Sequence, residues 1–356
     1  MRHTTRTRTA TTLLAAAALT TTGAALTTTP AEARVNVHCA GGASSRLGPG
    51  DAWSAGIRAV DPIVSRGTPV SMHDHQFFGN MALLGLDRPD LANYSDLLGS
   101  KTTCNIAKDT ASYWAPTLRY TSGPHAGETV PMVRYEMYYQ SWNDKTTDPA
   151  KQTKPFPPDL RMVAGNPMAQ TRADANVNAV NFSCGNFSSK AARLGMKYLT
   201  PRDADCSTAT NLRPGENRFL TGIVHFPTCW TGKLNDHTTL GNTADYMGDP
   251  MFTGNQMAYT VNGRCPTGYP IKLPKARFTW QWDYRGDGTD IAFSSDVMLT
   301  DPNQSGVNWH ADFWNVWDQP TLVKTVNYCI NTSRPDALLH IGNTPRNPGL
   351  CGIPVP

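Results

Sequence analysis

Charge is scarce along this chain and nowhere concentrated: Asp, Glu, Lys and Arg make up 17% of its 356 residues. No Lys/Arg run or basic helix face occurs, so the phosphate-neutralising surface on which nucleic-acid binding rests is not expected. Long Ala/Leu/Glu/Lys-rich stretches are missing, which excludes a helical bundle or a coiled coil. There is no CxxC pair, and hence no sign of a zinc ribbon or a thioredoxin-like redox site. The GxSxG, HExxH, P-loop and GxGxxG patterns are also lacking, which removes the usual sequence support for serine esterases, zincin proteases and nucleotide enzymes. No repeat is visible at periods of about 20–50 residues, against a solenoid or propeller.

What is present points to a secreted β-rich domain. Gly 29 and Pro 27 imply many turns, and nine Trp give the chain enough apolar surface to offset the entropy of ordering. Arg2, Arg6 and Arg8 precede an uncharged Ala/Leu/Thr/Gly stretch over 13–26, and Ala31 and Ala33 flank Glu32 in a small-x-small pattern. This reads as a secretory signal peptide over 1–33, which leaves an extracellular domain over 34–356 with no membrane anchor. Removing those three arginines and Glu32 leaves 29 basic against 27 acidic residues. The expected mature terminus is Arg34, which disfavours a copper site built on an N-terminal histidine. All eight cysteines (Cys39, Cys104, Cys184, Cys206, Cys229, Cys265, Cys329 and Cys351) lie beyond the leader. An even count in a secreted chain predicts four disulfides. Many connectivities are open; nearest neighbours suggest Cys184–Cys206, Cys229–Cys265 and Cys329–Cys351, with Cys39–Cys104 remaining.

Period-two alternation is the strongest local signal. Ala276, Phe278, Trp280, Trp282 and Tyr284 alternate with polar residues, as do Val133, Tyr135, Met137 and Tyr139. Ile291, Phe293, Val297 and Leu299 suggest another strand, and further strands are expected at 113–120, 160–164 and 218–226. Such alternation predicts antiparallel strands with one face buried and one wet. Helices are expected only at about 89–98 and 320–330. The architecture predicted is mostly β: a single antiparallel sandwich or jelly-roll-like domain with long loops and a few short helices, held by disulfides.

Two clusters carry the candidate chemistry. His73 and His75 are two apart, so in an extended segment both imidazoles face one way and can grip one divalent metal ion. The run 309–318 holds His310, Asp312, Asp318 and three tryptophans. There His310 and Asp312 share a face, and a carboxylate beside a histidine orients it and raises its basicity. His75, His310, Asp312 and Asp109 are the candidate catalytic groups. Arg58, Tyr113, Trp114, Arg161 and Trp314 are candidates for substrate binding, the arginines for acid groups and the rings for sugar faces. Arg58 with Asp61, and Arg161, read first as buried ion pairs, since a paired arginine is ordinary architecture. The loop with Cys229, Asp236 and His237 is a further rigid platform.

These stretches resemble a secreted domain-of-unknown-function family that stands alone in filamentous bacteria and precedes WSC carbohydrate-binding modules in fungi. The matching segments are 61–62 with 71–80, 109–118, 156–165, 226–232, 265–274 and 309–318, within about 58–330. The resemblance implies a secreted setting beside glycan-binding modules and no particular reaction. One departure stands out: Gln256 to Tyr259 occupy the place where the family pattern has a second histidine after the one matching His237. That shifts the expected metal site toward His73, His75 and His310. The function expected is that of a secreted, monomeric carbohydrate-active protein. It would be a glycoside hydrolase or polysaccharide lyase acting on a polysaccharide or cell-wall glycan, with one divalent metal as the candidate cofactor. The alternative is a non-catalytic glycan- or wall-binding domain.

Overall fold

The computed structural model describes residues 34–38, 55–142, 148–176, 178–185, 198–208 and 219–331. Sixteen strands, numbered along the chain, form four sheets among these residues. One sheet runs in the order β1 (Arg34–His38), β6 (Met132–Gln140), β14 (Lys275–Trp282), β9 (Leu220–His225) and β8 (Val180–Cys184), antiparallel throughout. The other large sheet runs β11 (Tyr246–Met247), β7 (Arg161–Gly165), β16 (His310–Trp314), β4 (Ser112–Pro116), β3 (His75–Gly79) and β2 (Gly56–Arg58). Only its β11–β7 pair is parallel. A three-stranded ribbon joins β12 (Met257–Ala258), β10 (Cys229–Trp230) and β13 (Ile271–Lys272), and β15 (Ile291–Phe293) pairs with β5 (Leu118–Tyr120).

The two large sheets pack face to face, because each presents an apolar row to the other. Ala276, Phe278, Trp280 and Trp282 of β14 and Tyr135, Met137 and Tyr139 of β6 meet Phe78, Tyr113, Met162 and Phe313 in one core cluster. Phe78 stacks on Tyr135 with ring centres 4.1 Å apart, and Tyr113 meets Phe278 edge-on at 5.2 Å. Pairs of this kind add about 0.5–1.5 kcal/mol each beyond area burial. The fold is thus mostly β, a sandwich with no closed barrel. A second apolar cluster, with Val60, Ile63, Phe77, Leu83, Trp114, Val163 and Trp314, covers the outer face of the six-stranded sheet. That outer face carries the site described below.

Three local expectations change. The polar face of β14 is not wet: Arg277, Thr279 and Gln281 are all buried. The alternation over Ile291 to Leu299 is strand only to Phe293, and Ser294–Met298 is a 3-10 helix. Asp296 causes the break, since its carboxylate accepts the Phe293 and Gly306 amides and the Ser305 hydroxyl. The C-terminal helix is present as Gln319–Thr325, capped by Asp318 on the Thr321 amide, but it continues as a π-helical turn over Val326–Ile330. Disulfides join Cys184 to Cys206 and Cys229 to Cys265. Cys104 and Cys329 are also disulfide-bonded, while Cys39 and Cys351 lie outside the described residues. The leader at 1–33 lies outside them too; among the described residues no helix is long and apolar enough to cross a membrane.

Candidate metal centre

Strand register brings the first cluster together. In the six-stranded sheet, His75 of β3 lies opposite Pro116 of β4. Trp114, two residues back on β4, lies between Phe77 and Asp312. Counting two residues along β16 and β4 then sets His310 level with Pro116. Side chains alternate across a strand, so His75, Pro116 and His310 form one row on the outer face, and Phe77, Trp114 and Asp312 the next. Proline offers no long side chain between the two imidazoles, and the rings lean over it to a centroid separation of 5.7 Å. On the other flank His310 pairs with Gly165. Gly165 has φ +98°, and a Cβ there would stand 2.6 Å from the Trp309 carbonyl oxygen and 2.8 Å from the His310 Cα. Only glycine admits the start of β16 this close. His73 comes in from the segment before β3, with its ring 4.4 Å from His75 and 5.5 Å from His310.

Backbone carbonyls fix which nitrogens face inward. His75 Nδ1 bonds the Val60 carbonyl at 3.1 Å, and His310 Nδ1 bonds the Asn308 carbonyl at 2.9 Å. Each Nδ1 therefore carries its proton, and each Nε2 keeps a free lone pair, the arrangement that orients metal-binding histidines. His75 Nε2 is buried without a partner. His73 is only half-buried, yet both its ring nitrogens are buried and unpartnered. One ligand atom from each of His73, His75 and His310 lies within 4.8 Å of the others. Around a tetrahedral ion with bonds of about 2.0–2.1 Å, donors are spaced about 3.3–3.4 Å, so a modest inward adjustment of the imidazoles would close the set.

Electrostatics favour lone pairs over protons here. Burial, chiefly, lowers His73 to about 4 and His310 to about 3, and puts His75 well below the ordinary value, with the neighbouring imidazoles adding to it for the latter two. Asp312, in the next row, is fully buried, and both its oxygens lack partners. Burial, then the Asp61 carboxyl, pushes Asp312 well above the usual carboxylate range, and burial raises Asp61 to about 6. The site brings together neutral nitrogen donors and a buried carboxyl group.

Residues 61–317 match the family described as Domain of unknown function (DUF1996). The chain belongs to this family. Nothing matches among curated proteins or solved structures. His73, His75, His310, Asp312 and Asp61 all fall inside the DUF1996 stretch, Asp61 as its first residue.

The structure distributes the other candidate residues of this DUF1996 chain differently. Asp109 and Tyr113 are on the opposite side of the sheet, inside the sandwich. The Tyr113 hydroxyl donates to Asp109 at 2.6 Å and lies 2.7 Å from the Tyr139 hydroxyl, which accepts from Trp317 Nε1 at 3.0 Å. That is a core network without solvent access, so neither residue reaches a substrate. Trp114 and Trp314 are fully buried, Trp114 stacked on Phe77, and they offer no exposed ring to a sugar. Arg161 is an ion-pair residue: it packs 3.9 Å over Trp314 and bonds Asp159, which also accepts from Trp314 Nε1 and from His237. His237 lies between Asp159 and Asp245, and although burial opposes it, the two carboxylates raise its pKa. This network ties loops to the far end of the outer face. Gln256 hydrogen-bonds Asn235 and Thr231 instead of joining a metal set. Arg58 does not pair with Asp61, whose carboxylate accepts the Ile63 and Val64 amides. It is exposed on edge strand β2, opposite His75. Orientation of His310 comes from Asn308, not from Asp312, whose Oδ2 is 3.8 Å from His310 Nε2. The Val60 and Asn308 carbonyls leave no signal in side-chain chemistry, and neither does the electrostatic influence of Asp61 on Asp312.

Proposed function

We propose that this protein is a divalent-metal-dependent enzyme of the extracellular space acting on a polysaccharide or cell-wall glycan. His73, His75 and His310 hold the ion. The observation that carries this reading is the orphaned polar set: His73 Nδ1 and Nε2, His75 Nε2 and both Asp312 oxygens are buried together without partners. Each such group costs about 1–3 kcal/mol if left unmade, so five in one place mark a ligand site. A bound ion would supply Lewis acidity toward a substrate or water oxygen. The chain does the rest. His75 and His310 are held rigidly by carbonyls on adjoining strand ends, and His73 sets the solvent-facing side. Arg58, exposed on edge strand β2 opposite His75 and with no ion pair among the described residues, suits the carboxylate of an acidic sugar. The buried aromatics form the floor of the site and do not contact substrate.

The test uses purified secreted protein stripped with chelator and reloaded with Zn(II), Mn(II), Co(II) or Cu(II), against a polysaccharide panel that includes uronate polymers. Chain length and unsaturated products are read. Turnover that needs metal and vanishes in His75→Ala and His310→Ala is expected. Metal-dependent glycan binding without turnover would make the domain a binding module. Wild-type protein that retains no metal would remove the reading altogether.

A further inference from the structure

Asp312 is not explained by a three-histidine centre alone. It is fully buried in the middle of the six-stranded sheet, and neither carboxylate oxygen has a hydrogen-bond partner. Among the described residues no Lys or Arg pairs with it, and its one charged-group neighbour at ion-pair range is His310 Nε2, 3.8 Å from Oδ2. The Asp61 carboxyl is already held by the Ile63 and Val64 amides. A buried carboxylate without a cation or a donor is among the costliest arrangements a core can hold.

Resting on the metal-centre reading above, we propose that Asp312 is the fourth protein ligand, completing a three-histidine, one-carboxylate centre whose open positions face the His73 side. Three geometric facts support it. Asp312 lies on the same face as His310, one row below the row of His75 and His310. The 3.8 Å gap to His310 Nε2 is too long for a hydrogen bond, but it is close to the roughly 3.3–3.4 Å between two donors on one small ion. The role of orienting His310 is already filled by the Asn308 carbonyl at Nδ1. A dication held by one carboxylate and three neutral imidazoles keeps a single net positive charge. That mixed donor set fits Mn(II), Fe(II), Co(II), Ni(II) or Zn(II) better than Cu(I), which prefers thiolate and thioether ligands.

Cobalt(II) alone is the probe, with no substrate present, because its visible absorption reports coordination number. Wild type, Asp312→Asn and His75→Ala are titrated with it, and the metal-free folds are compared by circular dichroism. If Asp312 is a ligand, Asp312→Asn weakens Co(II) affinity by about 100-fold or more, beyond the 10–100-fold typical of outer partners, and changes the absorption envelope. Wild-type affinity with an unchanged spectrum in Asp312→Asn overturns the assignment and leaves the histidine centre standing. Absence of Co(II) binding by wild type removes both. Should Asp312→Asn not fold, Co(II)-soaked crystals of wild type decide. An anomalous peak about 2.0–2.2 Å from an Asp312 oxygen supports the ligand role, and a peak bound by the histidines but beyond about 3 Å from Asp312 overturns it.

Discussion

Asp109 sits between two sheets with only hydroxyl and amide partners, and burial lifts its pKa to about 8. The folded chain therefore keeps a proton that the unfolded chain releases above about 4. The stabilisation is fully present below about pH 4 and is lost as pH rises through 8, at up to about 1.4 kcal/mol per pH unit. Asp109→Asn mimics the protonated side chain and has no such slope. Relative to wild type, the variant should gain stability steadily from pH 5 to 8 in urea unfolding, and parallel pH profiles would show that Asp109 is ionised in the fold. At this same scale the sequence was legible where chemistry is local and silent where it is not. His73 and His75 announce themselves by spacing, and His310 and Asp312 by theirs. Asp109 looked equally eligible, because nothing in its neighbours says that Tyr113 turns its hydroxyl inward to meet it. Asp61 looked like the partner of Arg58, although the amides two and three residues later take its carboxylate.

Strands set the site through their ends. β3, β4 and β16 deliver His75, Pro116 and His310 to one row only because β16 starts hard against Gly165 at the end of β7. Gly165→Ala should therefore both strain the backbone, at about 1–3 kcal/mol, and push the His310 backbone away. Thermal unfolding should move down by several degrees, and Co(II) affinity should fall as well. Gly123→Ala is the control: its φ is +79° but no atom lies within 4 Å of the added Cβ. It should lose stability without losing metal, and equal loss of Co(II) binding in both variants would defeat the argument. Long alternating runs such as 275–282 made their strands readable, since period two over eight residues admits little else. The run Ile291 to Leu299 misled because its apolar spacing continues past Asp296, whose side chain captures amides and turns the chain into a 3-10 helix. Which face of β14 is wet was not readable either, since cover over Arg277 and Gln281 is a tertiary fact.

In the whole molecule, two sets of buried groups pull stability in opposite directions with pH. His73, His75 and His310 are neutral in the fold and take up protons on unfolding below about 6.5; their contribution is full above that pH and is lost as pH falls. Asp61, Asp109 and Asp312 keep protons in the fold that unfolding releases above about 4; their contribution is full below that pH and is lost as pH rises. Between about pH 4 and 6 the unfolded chain gains protons on three imidazoles and loses them from these three carboxyls and, in part, from the buried Asp296, so the slopes nearly cancel. Above about 6.5 only the carboxyl slope remains, joined by His237, whose raised pKa acts in the same direction. Below about 4 those three carboxyls are protonated in both states, and what remains of the histidine slope is joined by carboxylates held below their ordinary value, such as Asp159 and Asp203, whose stabilisation is also lost as pH falls. Chelator-treated protein should therefore show a plateau in unfolding midpoint from about pH 4.5 to 6, with a decline on either side. Three uncompensated histidines would instead give a slope of roughly 4 kcal/mol per pH unit across that same interval. A steep, continuous loss from pH 6 to 4.5 would thus mean that the acids beside the imidazoles are ionised in the folded chain.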